Sequence, residues 1–341
     1  VRSTAKPLER RSTSLDYALR KMTEADLPAV AEVEAGVFTD WYRIYRREPE
    51  PLAERTMDEL RYAISLDPDG NHVAVAEDGS LVGFILSRTW GEVGWFGTFG
   101  VPTQFHGLGI GTALVARAVD YLASKASVIG LETMPESGQN IGLYSRAGFV
   151  PTYPTLIVEI SLLSLADRFG RPRAEDAVVW GDLGRSERAR AVADVREIST
   201  MLTPGLDFSR ELESLRSHGL GRTVLSAGKG GRLDGFAVLR TAPFRRGDNS
   251  GRAYIHAMGI RPGSDTEHVL ADLIRQLWAT AGSLGLSRAA AGLSGRNQGA
   301  LELLRTHGFR VAKSGIRMLR LPVAEELFRP TEAVELARWA G

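Results

Sequence analysis

The chain has 341 residues, with 42 Lys+Arg against 41 Asp+Glu, 43% hydrophobic residues and no cysteine. That is longer than one ordinary domain needs and has the balance of a globular protein with a sizeable core. The net charge of +1 argues against holding nucleic acid or a membrane surface by bulk charge, the lack of cysteine excludes disulfides and thiolate metal sites, and no apolar run reaches the roughly 18 residues of a transmembrane helix. Residues 1–14 carry Arg2, Lys6, Arg10 and Arg11 without the apolar centre of a secretion signal. They read as a basic tail, and the cytoplasm is the expected location.

In chain order, Tyr17 to Arg20 predicts a short strand. Thr23 is placed to cap a helix bearing Leu27, Val30, Val33 and Val37 on one face. Phe38 to Tyr45 is expected as an aromatic loop after it. A second helix is expected over about Leu52 to Leu66. His72–Ala76 and Leu81–Leu86 flank Glu77-Asp78-Gly79-Ser80, whose Asp-Gly pair signals a hairpin. A strand over Val93 to Val101 precedes a helix from about Gly107 to Ala123, with Leu114, Val115, Ala118, Val119 and Leu122 on one face. A strand near Val128–Glu132, a helix near Gln139–Ala147 and a strand near Thr155–Ile160 complete a first unit, residues 15–160. After an expected linker at 161–176, the same order repeats over 177–322. Tyr144-Ser145-Arg146-Ala147-Gly148-Phe149 is echoed by Leu304-Arg305-Thr306-His307-Gly308-Phe309. Residues 323–341 are expected as a C-terminal helical tail.

The chemistry concentrates at Gly107-Leu108-Gly109-Ile110-Gly111-Thr112. Alternating glycines let the backbone approach a ligand and point N–H groups outward, and the helix start adds unsatisfied donors. The turn follows the fourth strand rather than the first, which fits a Rossmann site poorly, and no Gly-Lys-Ser/Thr is present for a P-loop.

Val101-Pro102-Thr103-Gln104-Phe105-His106-Gly107-Leu108-Gly109-Ile110-Gly111 resembles the acyl-CoA pyrophosphate loop of the Gcn5-related N-acetyltransferases (GNAT family), with His106 at a position usually held by Arg or Gln. The resemblance implies two tandem α/β domains, each a mixed, mostly antiparallel sheet flanked by helices. It implies acetyl-CoA as co-substrate, held by Phe99, Gly100, Val101, His106, Gly107, Leu108, Gly109, Ile110, Gly111, Thr112 and Asn140. In the same family a tyrosine ahead of a Gly-Phe pair is the general acid that protonates the departing thiolate, and Tyr144 fits that place. Some relatives place a base where Glu132 stands and others draw it from the fourth strand, where Glu92 is the candidate. Asp40, Trp41 and Tyr42 would form a lip of the acceptor cleft.

In the second half Ile260-Arg261-Pro262-Gly263-Ser264-Asp265-Thr266-Glu267 lacks the alternating glycines, Leu304 replaces the tyrosine and Gly292 the glutamate. That half is expected to be a scaffold. The expected activity is direct attack of a small-molecule or peptide amine on acetyl-CoA, by a monomer or homodimer, with no metal and no nucleic acid or membrane partner. The alternative is a non-catalytic acyl-CoA sensor or interaction module.

Overall fold

The computed structural model describes residues 15–169, 178–322 and 324–337. The expected basic tail at 1–14 and the rear of the expected linker lie outside them. β1 (Tyr17–Lys21) leads through a turn at Glu24–Asp26 into α1 (Leu27–Arg46). The Asp26 carboxylate accepts from the Thr23 N–H and hydroxyl, both at 2.8 Å, closing the capping box. α2 (Met57–Leu66) is capped by Thr56, whose hydroxyl accepts from the Glu59 N–H. Then follow β2 (His72–Ala76), β3 (Leu81–Trp90), β4 (Val93–Gly100), α3 (Ile110–Ala123), β5 (Val128–Thr133), α4 (Gly138–Arg146) and β6 (Phe149–Ser161). After α5 (Leu162–Phe169) and the short β7 (Val178–Val179) come α6 (Arg185–Leu202), α7 (Glu211–Ser217), β8 (Gly221–Ala227), β9 (Leu233–Arg240), β10 (Arg252–Ile260), α8 (Thr266–Ser283), β11 (Arg288–Ser294), α9 (Gln298–Thr306), β12 (Arg310–Arg320) and β13 (Glu335–Ala337).

Three expectations are corrected. Phe38 to Tyr45 is not a loop but the second half of α1. No glycine or proline lies between Val37 and Pro49, and the helix stops only where Arg47 takes a left-handed φ of 56°. Its apolar period fades because this end carries its side chains into solvent, leaving Ile44 64% exposed. The expected linker begins with α5, whose Leu162 and Leu165 are buried in the core of the second half. The expected C-terminal helical tail contains the strand β13, paired antiparallel with β10.

The strands form one sheet in the order β1-β2-β3-β4-β5-β12-β6-β11-β10-β9-β8-β7, with β13 on β10. The two half-sheets are mixed and mostly antiparallel, as expected, but they exchange their last strands. β6 crosses to pair with β11 over Thr155–Ser161, and β12 returns to pair with β5 over Gly130–Thr133. β6 and β12 pair with each other at the crossing.

A shared core closes the seam on one face. Tyr62, Trp90, Val93 and Trp95 of the first half pack with Trp180, Leu206, Phe208, Phe236 and Val238 of the second. Each such buried side chain contributes about 1.5–3 kcal/mol. A polar knot is set into this seam. Glu211 accepts from Trp90 Nε1 at 2.8 Å, from the Tyr62 hydroxyl at 2.9 Å and from the Ser214 hydroxyl at 2.7 Å. The Tyr62 hydroxyl in turn accepts from His256 Nε2 at 2.9 Å. Beside it Arg240, from β9, pairs with Glu59 of α2. Burial alone would raise the Glu211 carboxyl, but its bonds to His256 and Ser214 and the nearby Arg88 hold it well below the ordinary carboxylate range.

Two outcomes follow for the seam. Glu211→Gln should lower stability by about 3–5 kcal/mol at neutral pH. Because the folded carboxyl is depressed, its contribution is present above the unfolded value of about 4.5 and is lost as pH falls. The gap between variant and parent in urea titrations should therefore narrow below that pH, and a gap that stays constant would refute the role. Separately, a protein cleaved at a protease site engineered between 170 and 177 should still elute as one particle. Separation of the pieces without denaturant would show that the exchanged strands do not lock the halves.

Candidate functional site

β4 and β5 run parallel and pair from Val93 with Val128 to Trp95 with Gly130, and no further. At the parting β4 carries a bulge, since its pairing with β3 passes from Ile85–Phe99 to Ser87–Phe96 and leaves Gly97 and Thr98 against one residue. β5 runs on with β12 on its other edge. The Phe96 to Gly100 stretch of β4 thus presents an unpaired backbone edge to a wedge-shaped split. At its apex the Trp95 ring lies on Gly130, where any Cβ would come within 2.1 Å of it, so only glycine fits there.

The glycine turn stands at the open end of the split. Gly107 and Gly109 both have φ of 82°, a conformation that favours glycine, and added Cβ atoms would point into open space. Gly109 is the N-cap of α3 and supplies no side chain. The first N–H groups of α3 therefore face outward with the positive end of the helix dipole. His106 is turned back onto its own loop, with Nε2 donating to the Val101 carbonyl at 2.9 Å. It braces the turn and does not face the helix start.

Tyr144, on α4, lies under the split at 5% exposure. Its ring meets Phe96 and Phe99 edge-on at 5.7 and 6.4 Å, and Phe99 in turn packs against Gly111. Its hydroxyl has no hydrogen-bond partner among the described residues, and burial pushes its pKa upward. Asn140 sits half-buried in the first turn of the same helix, its N–H on the Ser137 hydroxyl at 3.3 Å.

The two carboxylate candidates separate. Glu132 is at the split, on the sheet face opposite α3, because its neighbours Ile129 and Leu131 pack into the α3 core. It is ion-paired across the sheet with Arg317, whose Nη2 and Nε reach Oε1 at 2.8 and 3.3 Å and whose guanidinium lies over the Trp95 ring at 5.2 Å. Glu92 is in the turn between β3 and β4, at the far end of β4 from Phe99. At about 3.3 Å per residue that is roughly 20 Å away. Its N–H donates to the Gly205 carbonyl of the second half at 2.7 Å. The structure does not bring Glu92 to the split, because the strand start lies at the closed end of the wedge.

The aromatic segment expected as a lip of the acceptor cleft is the C-terminal half of α1. Asp40 accepts from the Thr103 hydroxyl at 3.1 Å. Trp41 stacks on Tyr45 at 5.1 Å and meets Tyr42 edge-on at 5.4 Å. Arg46 lies over both Trp41 and Tyr42 and reaches Glu136, ahead of α4, at 3.6 Å. Among the described residues no group of three or more His, Asp or Glu is placed to hold a metal ion.

The second half has the same parting of strands with a different outcome. β10 and β11 pair in parallel from Arg252–Arg288 to Ile255–Ala291. Beyond that point β13 enters, pairing Ala257, Met258 and Gly259 with Ala337, Leu336 and Glu335. Asn297, ahead of α9, donates its Nδ2 to the Glu335 carbonyl at 2.8 Å. α8 begins with Asp265, whose carboxylate accepts from the His268 N–H at 3.1 Å. Leu304 is fully buried where Tyr144 stands in the first half.

An open split in a mixed sheet, with a glycine-capped helix start at its mouth, agrees with the sequence comparison. Residues 38–149 match the profile described as the acetyltransferase (GNAT) family. The chain carries a GNAT domain. No curated protein sequence matches it. Solved structures resemble the whole chain in fold. A presumed acetyltransferase from Pyrococcus horikoshii aligns at a TM-score of 0.64 and 20% identity over 95% of each chain. A tandem GNAT protein from the clavulanic acid biosynthesis pathway aligns at 0.57 and 14%, covering 89% of this chain and 98% of that one. Saccharomyces cerevisiae N-myristoyltransferase, solved with bound myristoyl-CoA, aligns at 0.62 and 12%, covering 93% and 80%. The chain thus has the architecture of a tandem GNAT protein.

Arg317 and Trp95 beside the GNAT split, and β13 in its second-half counterpart, were not found by sequence reasoning. Arg317 reaches Glu132 only through the exchanged strand, and no local motif signals that pairing. Asn297→Ala should release β13 locally. The lost buried hydrogen bond costs about 1–3 kcal/mol, and hydrogen exchange at Glu335–Ala337 should accelerate while β10 stays protected. Unchanged protection would mean the side chain does not hold the strand.

Proposed function

We propose that the protein is an acetyl-CoA-dependent N-acyltransferase whose chemistry takes place in the first half. The observation that carries this is the contrast between two equivalent strand partings. One is open, with an uncapped helix start at its mouth and an unpartnered tyrosine hydroxyl beneath it. The other holds the chain's own strand, beside a helix start already capped by Asp265. The residues of the first half fit acyl-CoA: an added Cβ at Gly107 or Gly109 would stand where a diphosphate must approach, and the free edge of β4 offers backbone groups to an amide-bearing arm.

Acyl-CoA supplies the acyl group as an activated thioester, and the acceptor amine attacks it directly. The N–H groups at the start of α3 bind the diphosphate. Tyr144 keeps its proton at neutral pH because burial disfavours the phenolate, and donates it to the departing sulfur. Glu132 accepts the proton of the amine, with Oε1 anchored by Arg317. Asp40, Trp41 and Tyr42 border the entrance for the acceptor. The second half shapes the acceptor side and does not bind acyl-CoA.

Calorimetric titration with acetyl-CoA should give one site per chain, abolished in Gly109→Glu, which forces a side chain onto φ of 82° and sets a negative charge at the cradle. Two sites would overturn the assignment of the second half, and no binding would overturn the enzyme reading. Tyr144→Phe should lower kcat by about 10²–10⁴-fold with the KM for acetyl-CoA unchanged. An unaltered kcat would remove the acid role.

A further inference from the structure

Between the halves, on the face of the sheet opposite α3, lies a partly open cavity. Trp95 and Arg317 form its wall toward the split. The second half supplies Arg296, Asn297, Thr203 and Glu335. Its charges are of both signs. Arg296 is half-buried and spends only Nε, on the Arg329 carbonyl at 2.9 Å. Its two terminal nitrogens have no hydrogen-bond partner among the described residues. Glu335 is 6% exposed and accepts from the Thr203 hydroxyl at 2.6 Å. Burial works against the charge on Arg296, Glu335 offsets part of this, and the like charge of Arg317 adds to it.

A planar guanidinium with its fork unspent matches a carboxylate. A dianionic phosphate fits less well, because Glu335 shares the wall. The Arg317 guanidinium that lines the cavity also holds Glu132. A molecule seated against Arg296 therefore lies next to the ion pair of the proposed base. Diphosphate-binding donors and this cavity occupy opposite faces of the sheet, so cavity and acyl donor do not compete for space.

Building on the acyltransfer reading, we propose that this cavity selects the acceptor: an amine that also carries a carboxylate, as an amino acid does, with Arg296 of the second half binding that carboxylate. The otherwise silent half then supplies specificity to the active one.

Saturation-transfer NMR on the full chain with acetyl-CoA present tests this with matched pairs: phenylalanine and phenethylamine, tyrosine and tyramine, histidine and histamine, lysine and cadaverine. At least one amino acid should bind about tenfold or more tighter than its decarboxylated partner, by titration of the transfer signal. Arg296→Gln should remove that preference, and Arg296→Lys should restore part of it. Equal binding within every pair, no amino acid bound, or a preference that survives Arg296→Gln would overturn the proposal. Calorimetry with acetyl-CoA on the same samples separates the two levels. Acetyl-CoA binding without carboxylate selectivity defeats this inference alone, whereas absence of acetyl-CoA binding defeats the reading beneath it.

Discussion

The site depends on where two parallel strands stop pairing. β4 and β5 hold together only as far as Trp95 and Gly130. A strand edge left without a partner inside a protein carries unsatisfied N–H and C=O groups and must find a substitute. In the first half the β4 edge beyond the parting stays open. In the second half β13 fills the edge of β10. One geometric fault in the sheet, repeated, yields an open split in one case and a sealed seam in the other.

The sealed seam gives the repeat its asymmetry. Asn297 directs its amide to a backbone carbonyl of β13, and Asp265 gives its carboxylate to the first turn of α8. Both are satisfied within the chain. In the first half the start of α3 has no side-chain cap, and the Tyr144 hydroxyl, at the place of Leu304, has no hydrogen-bond partner among the described residues. Unsatisfied polar groups are costly in a folded protein, and the first half keeps two of them beside its open split.

What the sequence disclosed was what local chemistry encodes. The Asp-Gly hairpin, the amphipathic α3, the glycine turn and the echo around Tyr144 and Leu304 are each determined within a few residues. Longer-range features were hidden. The C-terminal part of α1 lost its apolar period because it projects from the sheet, so Asp40, Trp41 and Tyr42 read as a loop. Glu92 looked equivalent to other residues of its strand because sequence gives no sense of which strand end lies at the mouth. The pairing of Glu132 with Arg317 rests on a strand from the other half, and β13 is too short to announce itself.

The exchange of β6 and β12 also has a consequence for the order of synthesis. The strand that covers β5 ends at Arg320, long after the glycine turn and Tyr144 have been made. A nascent first half leaving the ribosome has its own β6 but lacks the neighbour that belongs beside β5. The ion pair of Glu132 with Arg317 can form only after β12 has been made. Completion of the ion pair beside the split is thereby tied to synthesis of the second half, and a chain that stops before β12 leaves β5 with a bare strand edge.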